Sequence, residues 1–309
     1  MTTQNQKIDI YQDVTNRIIA ALEKGSMPWV KPWLGGLPQN AVSGRCYNGI
    51  NVLLLQIEAD EKGYQSTKWI TARAANELGG HIRKGEKATR IVKYCPIEKE
   101  KLNDDGEVIL DEEGNPEMES YAIIKGYPVF NIEQCEGLPE SMFLDEGKSL
   151  EFQQISDVRQ MLEGMEIEVR HHCGDRAYYR PSSDSISMPA MKSFCSERSY
   201  YSVLLHEMVH ATGHQNRLNR EGVTSKKSKF GNELYAFEEL IAEIGSAYLC
   251  TALGFDTITH NASYINSWID VLKSDKKAIF RASGHARRAV EYLFEIRDVM
   301  RLYEQTIAA

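Results

Sequence analysis

The sequence predicts an α+β protein of two domains, on three observations. At 309 residues the chain is longer than the roughly 250 at which one hydrophobic core stops growing. Strand-like segments precede a run of helical ones instead of alternating with them, the order of an α+β fold. Between the halves, Glu136 to Gly147 is polar and contains Gly137, Pro139 and Gly147, which is linker composition. The expected division is 1–147, an α+β domain with a β-hairpin sheet, and 148–309, a mostly helical domain.

From Lys7 to Lys24 apolar side chains recur at Ile8, Tyr11, Val14, Ile18, Ile19 and Leu22, an amphipathic helix stopped by Gly25. The Pro/Gly/Trp stretch Met27 to Gly36 forbids regular structure. Ile50 to Ala59 reads as a second helix, and Thr71 as the N-cap of a third that runs to Leu78. Thr89 to Tyr94 and Tyr121 to Phe130 are rich in β-branched and aromatic residues and read as core strands. The charged excursion between them, residues 98–119, is expected to project as an acidic hairpin. In the second half, Ser149 to Gly164 reads as helix. Ile167 to Val169, Ala177 to Arg180 and Ser185 to Met188 read as short strands. Helices are expected over Ser199 to Thr212, Glu233 to Leu253, Tyr264 to Leu272 and Ala286 to Tyr303.

The composition, 42% hydrophobic and 26% charged, is that of an ordinary soluble protein, with no apolar run near the roughly 20 residues of a membrane helix. The N-terminus lacks a secretory signal's basic start and apolar stretch, so a cytoplasmic location is expected. Six scattered cysteines without a C-x-x-C pair predict free thiols. The net charge of −8 is unevenly spread: residues 1–95 hold 13 Lys/Arg against 8 Asp/Glu, residues 96–151 hold 4 against 16. Only the first of these segments suits a polyanion.

The most specific motif is Leu205-His206-Glu207-Met208-Val209-His210. Four-residue spacing on a helix puts His206 and His210 on one face, one turn apart, where both imidazoles can reach one cation. Glu207 beside them is the expected general base for a water activated by zinc or another divalent ion such as manganese. Asn216 stands where the metzincin extension requires histidine, which excludes that class. For a third ligand the segment Glu238-Glu239-Leu240-Ile241-Ala242-Glu243 offers carboxylates on a later helix. Glu239 and Glu243 share a face, while Glu238 points about 100° away. Glu239 is favoured as ligand and Glu243 as the acceptor that orients a ligand histidine. His214 is the rival ligand. Tyr179, Tyr200 and Tyr201 are nearby candidates for an oxyanion, each more commonly a packed tyrosine.

In the first half, Trp29, Trp33, Tyr47 and Trp69 lie among Lys31, Arg45, Lys68, Arg83, Lys84 and Lys87. Aromatics that stack on bases, interleaved with cations that track phosphates, are what sequence-tolerant single-strand binding requires.

The chain resembles the ArdC-type antirestriction proteins over nearly its whole length. The resemblance rests on Pro28 to Trp33, Tyr47 to Leu55, Lys84 to Thr89 and Val129 to Gln134 in the first half. In the second half it rests on Asp184 to Pro189, His206 to His214 with Arg217-Leu218, and Glu238 to Glu243. It implies an N-terminal single-stranded-DNA-binding domain before a zincin-like metallopeptidase domain, and protection of incoming plasmid DNA from host restriction during conjugation. It also implies an unidentified protein substrate in the recipient cell if the peptidase is active, and it selects Glu239 as the ligand. The alternatives are a non-catalytic DNA binder with a structural metal, and an acidic hairpin that imitates DNA.

Overall fold

The computed structural model describes residues 9–29, 36–103, 107–111, 113–143, 151–229, 231–255 and 264–308. Lys31, Trp33 and the expected boundary at residue 147 lie outside these.

Helix α1 (Ile10–Glu23) begins where the Asp9 side chain accepts a hydrogen bond from the Gln12 amide, and it buries Val14, Ile18, Ile19 and Leu22. Strand β1 (Gln39–Asn40) leads to helix α2 (Ile50–Lys62), almost wholly buried through Ile57. Its end at Gly63 has φ +71°, a left-handed turn that glycine adopts without strain. Strand β2 (Lys68–Ile70) is followed by helix α3 (Ala72–Glu77), capped by Thr71 as expected. Next come β3 (His81–Ile82), β4 (Thr89–Glu100), β5 (Met118–Asn131) and β6 (Cys135–Glu136). One sheet has the order β1-β2-β5-β4, and β3 pairs with β6 apart from it.

The hairpin β4–β5 is longer at its outer end than the expected strands. Its antiparallel ladder runs from Thr89↔Val129 to Glu100↔Met118 and continues through the bridges Leu102↔Val108 and Leu110↔Pro116. The expected charged excursion is therefore the outer half of one ladder. β4 is an edge strand, and Asn51 on α2 covers that edge: its amide donates to the Val92 carbonyl at 2.9 Å and accepts from the Val92 N–H at 2.8 Å.

In the second half, α4 (Glu151–Gly164) precedes a three-stranded sheet of order β7-β9-β8, formed by β7 (Glu168–His172), β8 (Tyr178–Arg180) and β9 (Ser185–Pro189). β9, the buried middle strand, runs parallel to β7 and antiparallel to β8. Helices α5 (Glu197–Thr212), α6 (Glu221–Thr224), α7 (Glu233–Leu253), α8 (Ile265–Ser274) and α9 (Ala278–Ala308) complete the chain. α9 starts eight residues earlier than the periodicity from Ala286 suggests, because Ala278, Ile279 and Ala282 are buried as well. The arrangement is two-domain α+β, with the sheet in the N-terminal part and helices dominating the C-terminal part. No helix among the described residues is long and apolar enough to cross a membrane.

One hydrophobic cluster joins the two parts, from Val14 and Leu53 through Leu205 and Leu240 to Leu293. Trp29 meets Trp268 edge-on at 5.6 Å between centroids, and Tyr11 meets Phe280 at 4.8 Å.

Candidate metal centre and nucleic-acid surface

Helix α5 starts at Ser196, whose hydroxyl accepts from the Ser199 amide, and is held in the core by Leu204, Leu205, Met208 and Val209. That packing fixes its polar stripe. The His206 and His210 rings lie 4.9 Å apart at a steep angle, both facing α7. Across from them Glu239 brings Oε2 to 3.6 Å from His206 Nε2, and Oε1 to 3.5 Å from His210 Nε2. Among the described residues His206, His210 and Glu239 each offer one ligand atom, all within 4.8 Å of one another. Ligand bonds of 2.0–2.2 Å at tetrahedral angles separate donors by roughly 3.4 Å, so the trio fits a single divalent ion.

The approach of α7 to α5 depends on Gly245. A methyl group there would stand 2.9 Å from Cγ1 of Val209, the residue before His210. Only a glycine lets the helices sit this close without one of them giving way.

Electrostatics agree with a site built for a cation. Burial opposes protonation of His206, but the bond to Glu239 and the charges of Glu243, Glu207 and Glu239 outweigh it and push its pKa up to about 9. Burial would raise the pKa of Glu239, yet His210 and His206 hold it down at about 2. In a metal-free protein, protonated His206 supplies positive charge opposite these carboxylates, and Glu239 favours protonation of His210 against its burial. Glu207 is buried beside them, and burial raises its pKa although both histidines and the Tyr179 backbone amide favour the anion. A carboxyl with a raised pKa is suited to accept and return a proton.

Around this trio lies a support that the sequence did not reveal. Glu238, on the same α7 turn, points to the other ring nitrogen of His210, with Oε1 at 3.3 Å from Nδ1. Arg220 in turn grips Glu238, Nη2 to Oε1 at 2.7 Å and Nε to Oε2 at 3.0 Å, and donates to the Thr212 hydroxyl and the Val209 carbonyl. Burial works against the Glu238 anion, but the Arg220 charge and His210 keep its pKa below the usual carboxylate range. The acceptor that orients His210 is therefore Glu238. Glu243, expected to orient a ligand histidine, adds a negative charge that favours protonated His206. A 100° offset from Glu239 aims Glu238 at the far side of the same imidazole. The signal available in the sequence was Arg220, an arginine shortly after the motif, though nothing in its spacing points to Glu238.

His214 is not in the converging group. Its Nδ1 accepts from the Asn216 amide at 3.3 Å and lies 3.9 Å from Asp184 Oδ2. The expected tyrosines are occupied too: Tyr179 donates to Asp184, which Arg217 also holds, Tyr200 bonds His171, and Tyr201 stacks on Phe255. Tyr179 lines the cleft together with Tyr235 and Tyr264, and the Tyr235 hydroxyl bonds Glu239. The cleft has a volume of about 1250 Å³ and is also lined by His206, Glu207, His210 and Glu239.

The aromatic residues expected to bind nucleic acid divide differently. Trp29 and Trp69 are each 1% exposed, so neither presents a ring to a base. Trp29 plugs the junction with α8, and Trp69 fills a small cluster with Leu55, Tyr64 and Val129. Composition does not separate a buried tryptophan from a stacking platform, and here the large apolar area of the indole decides. Tyr47 is half-buried against that cluster, while Arg45, Arg83, Lys84 and Lys87 are exposed, Arg83 in an ion pair with Glu86.

Family comparisons match this layout. Residues 8–130 match the profile of the N-terminal domain of anti-restriction factor ArdC, and residues 156–285 that of a zincin-like metallopeptidase. The antirestriction ArdC protein of plasmid R388 is 40% identical, with 94% of this chain aligned to 98% of that one. The TM-score is 0.78 for its metal-free structure and 0.74 for its Mn(II)-bound structure. The uncharacterized protein y4eC of Sinorhizobium fredii is 33% identical over 94% of this chain and 93% of its own length. The DNA primase TraC of Escherichia coli is 36% identical over 95% of this chain, which spans only 20% of that relative's length.

Proposed function

Because this chain belongs to the ArdC antirestriction family, we propose that it binds single-stranded DNA and protects incoming plasmid DNA from host restriction during conjugation, with a metal-dependent peptidase as its C-terminal domain. The observation that carries the catalytic part is the open donor set. His206, His210 and Glu239 supply three protein ligands at the wall of a cleft, with Glu207 alongside. Structural zinc sites close all four positions with protein atoms, whereas hydrolytic ones leave one open.

His206, His210 and Glu239 would hold a divalent ion, zinc or manganese, which when bound would supply Lewis acidity toward water and a peptide carbonyl. The Glu207 carboxylate would take the proton of that water and return it to the leaving amine. Glu238 keeps the His210 ring turned to the cleft. The substrate is a protein of the recipient cell reached through the cleft, and the site of action is the cytoplasm.

Glu207→Gln separates this reading from a binder whose metal is structural. The variant should retain metal by elemental analysis and lose protection of transferred DNA. Full protection with metal retained refutes the catalytic part. Gel shifts with single-stranded and duplex oligonucleotides test the other part, and equal or absent binding of both refutes it.

A further inference from the structure

We infer that the single-strand surface is the face of the β4–β5 hairpin turned away from α1, centred on the cross-strand pair Lys93–Lys125 and flanked by Tyr121 and Tyr127. The inference rests on the single-strand reading above and replaces the buried Trp29 and Trp69 as its aromatic platform. Register puts Ile91, Lys93, Cys95 and Ile97 opposite Tyr127, Lys125, Ile123 and Tyr121, all on one face by the two-residue alternation of strands. The opposite face carries Val92, Ile124 and Gly126, packed toward α1, where Ile10 approaches Gly126.

Three features make this face fit a single strand. First, Lys93 and Lys125 stand directly opposite one another, both exposed, and neither is salt-bridged among the described residues. Like charges at paired positions destabilise a ladder, and a phosphate between them removes that cost. Second, residues 89–97 and 121–131 contain no Asp or Glu, so the inner hairpin is a carboxylate-free surface in a chain of net charge −8. Carboxylates begin at Glu98 and Glu119, where Lys99 pairs with Glu119. Third, Tyr121 and Tyr127 are 44% and 40% exposed on the same face as the lysines. Two residues along a strand span ~7 Å, so Tyr127 stands ~7 Å from the lysine pair on one side and Tyr121 about 13 Å from it on the other, distances that let a strand rest a phosphate on the lysines and bases on the tyrosines. Acid beyond Glu98 ends the track. Duplex DNA, with its bases stacked inside, gives the tyrosines nothing to stack on.

Fluorescence anisotropy of the full chain with labelled oligothymidine, titrated over a range of salt, tests the assignment. Lys93→Ala/Lys125→Ala should weaken binding by roughly tenfold and reduce the slope of log affinity against log salt by about 0.7, the contribution of the one phosphate no longer neutralised. Tyr127→Ala should weaken binding about tenfold with the slope unchanged. Lys93→Arg/Lys125→Arg should keep both affinity and slope. The double alanine variant should melt no lower than wild type, since it relieves a repulsion, so loss of binding is not loss of fold. If wild type binds and these variants match it in affinity and slope, the surface is elsewhere and the single-strand reading survives. If wild type binds no single strand, or binds duplex equally, both fail.

Discussion

Arg220→Met removes the guanidinium that neutralises Glu238 while keeping much of the side-chain volume. Both partners are almost inaccessible, Arg220 at 2% and Glu238 at 5% side-chain exposure, so the carboxylate left behind has no water to turn to. Breaking a buried pair from one side costs about 3–5 kcal/mol. The Thr212 hydroxyl and the Val209 carbonyl are each deprived of a donor as well, which adds about 1 kcal/mol apiece. With a urea dependence of ~3 kcal/mol per molar, the resulting loss of about 5–7 kcal/mol should lower the unfolding midpoint by roughly 2 M. The double variant Arg220→Met/Glu238→Leu should recover most of that stability, because two apolar side chains replace two charges. It should not recover metal affinity, since His210 then lacks the acceptor at Nδ1, a loss of about 10–100-fold. Urea titrations and competitive metal-binding measurements on the three proteins separate these effects. A single variant that unfolds within ~0.3 M of wild type, or a double variant no more stable than the single, refutes the reasoning.

Glu239→Ala should abolish stoichiometric metal while His214→Ala retains it, as read by elemental analysis of the purified proteins. Gly245→Ala should cost about 1–3 kcal/mol by pressing α7 off Val209, seen as a lower melting temperature together with weaker metal binding. The metal-free protein should be pH-sensitive on both sides. The folded-state pKa of His206 is raised to about 9, so its contribution is fully present below roughly 6.5 and is lost as pH rises through about 9. That of Glu239 is lowered to about 2, so its contribution is present above roughly 4.3 and is lost as pH falls toward 2. Urea midpoints of chelator-treated protein should therefore be higher at pH 6 than at pH 9.5, and an equal midpoint contradicts the assignment. Trp29→Ala should destabilise by about 3–5 kcal/mol but leave DNA affinity per folded molecule unchanged in the anisotropy assay.

The parts of this molecule legible in its sequence are those with one dominant periodicity. The α1 helix, the Thr71 cap, the short strands before Pro189 and the helical His206–His210 spacing each follow from local pattern, and Glu239 followed from a carboxylate in an apolar helix. Arg220–Glu238 did not, because a loop residue can pair with any carboxylate within reach and its partner is chosen by tertiary packing. The acidic hairpin over residues 98–119 follows from the sequence, but the extension of the β4–β5 ladder into it does not, since exposed strands lack the apolar alternation that marks half-buried ones. Trp29 and Trp69 were misassigned because one side chain serves equally as a base platform and as a core plug. The lysine pair was invisible for a related reason: residues 93 and 125 become neighbours only once the register is known.

The shared core has a practical meaning for dissection of the protein. The Tyr248 hydroxyl on α7 donates to the Gly49 carbonyl that opens α2, on the same helix that presents Glu239 to the histidines. Scission at the polar stretch near residue 147 would strip α1 and Trp29 from Phe280 and Trp268, leaving wet apolar faces on both fragments. A truncated peptidase half is thus a poor reporter of the intact one. Point substitutions on the hairpin or in the cleft, made in the full chain, are the cleaner scalpel.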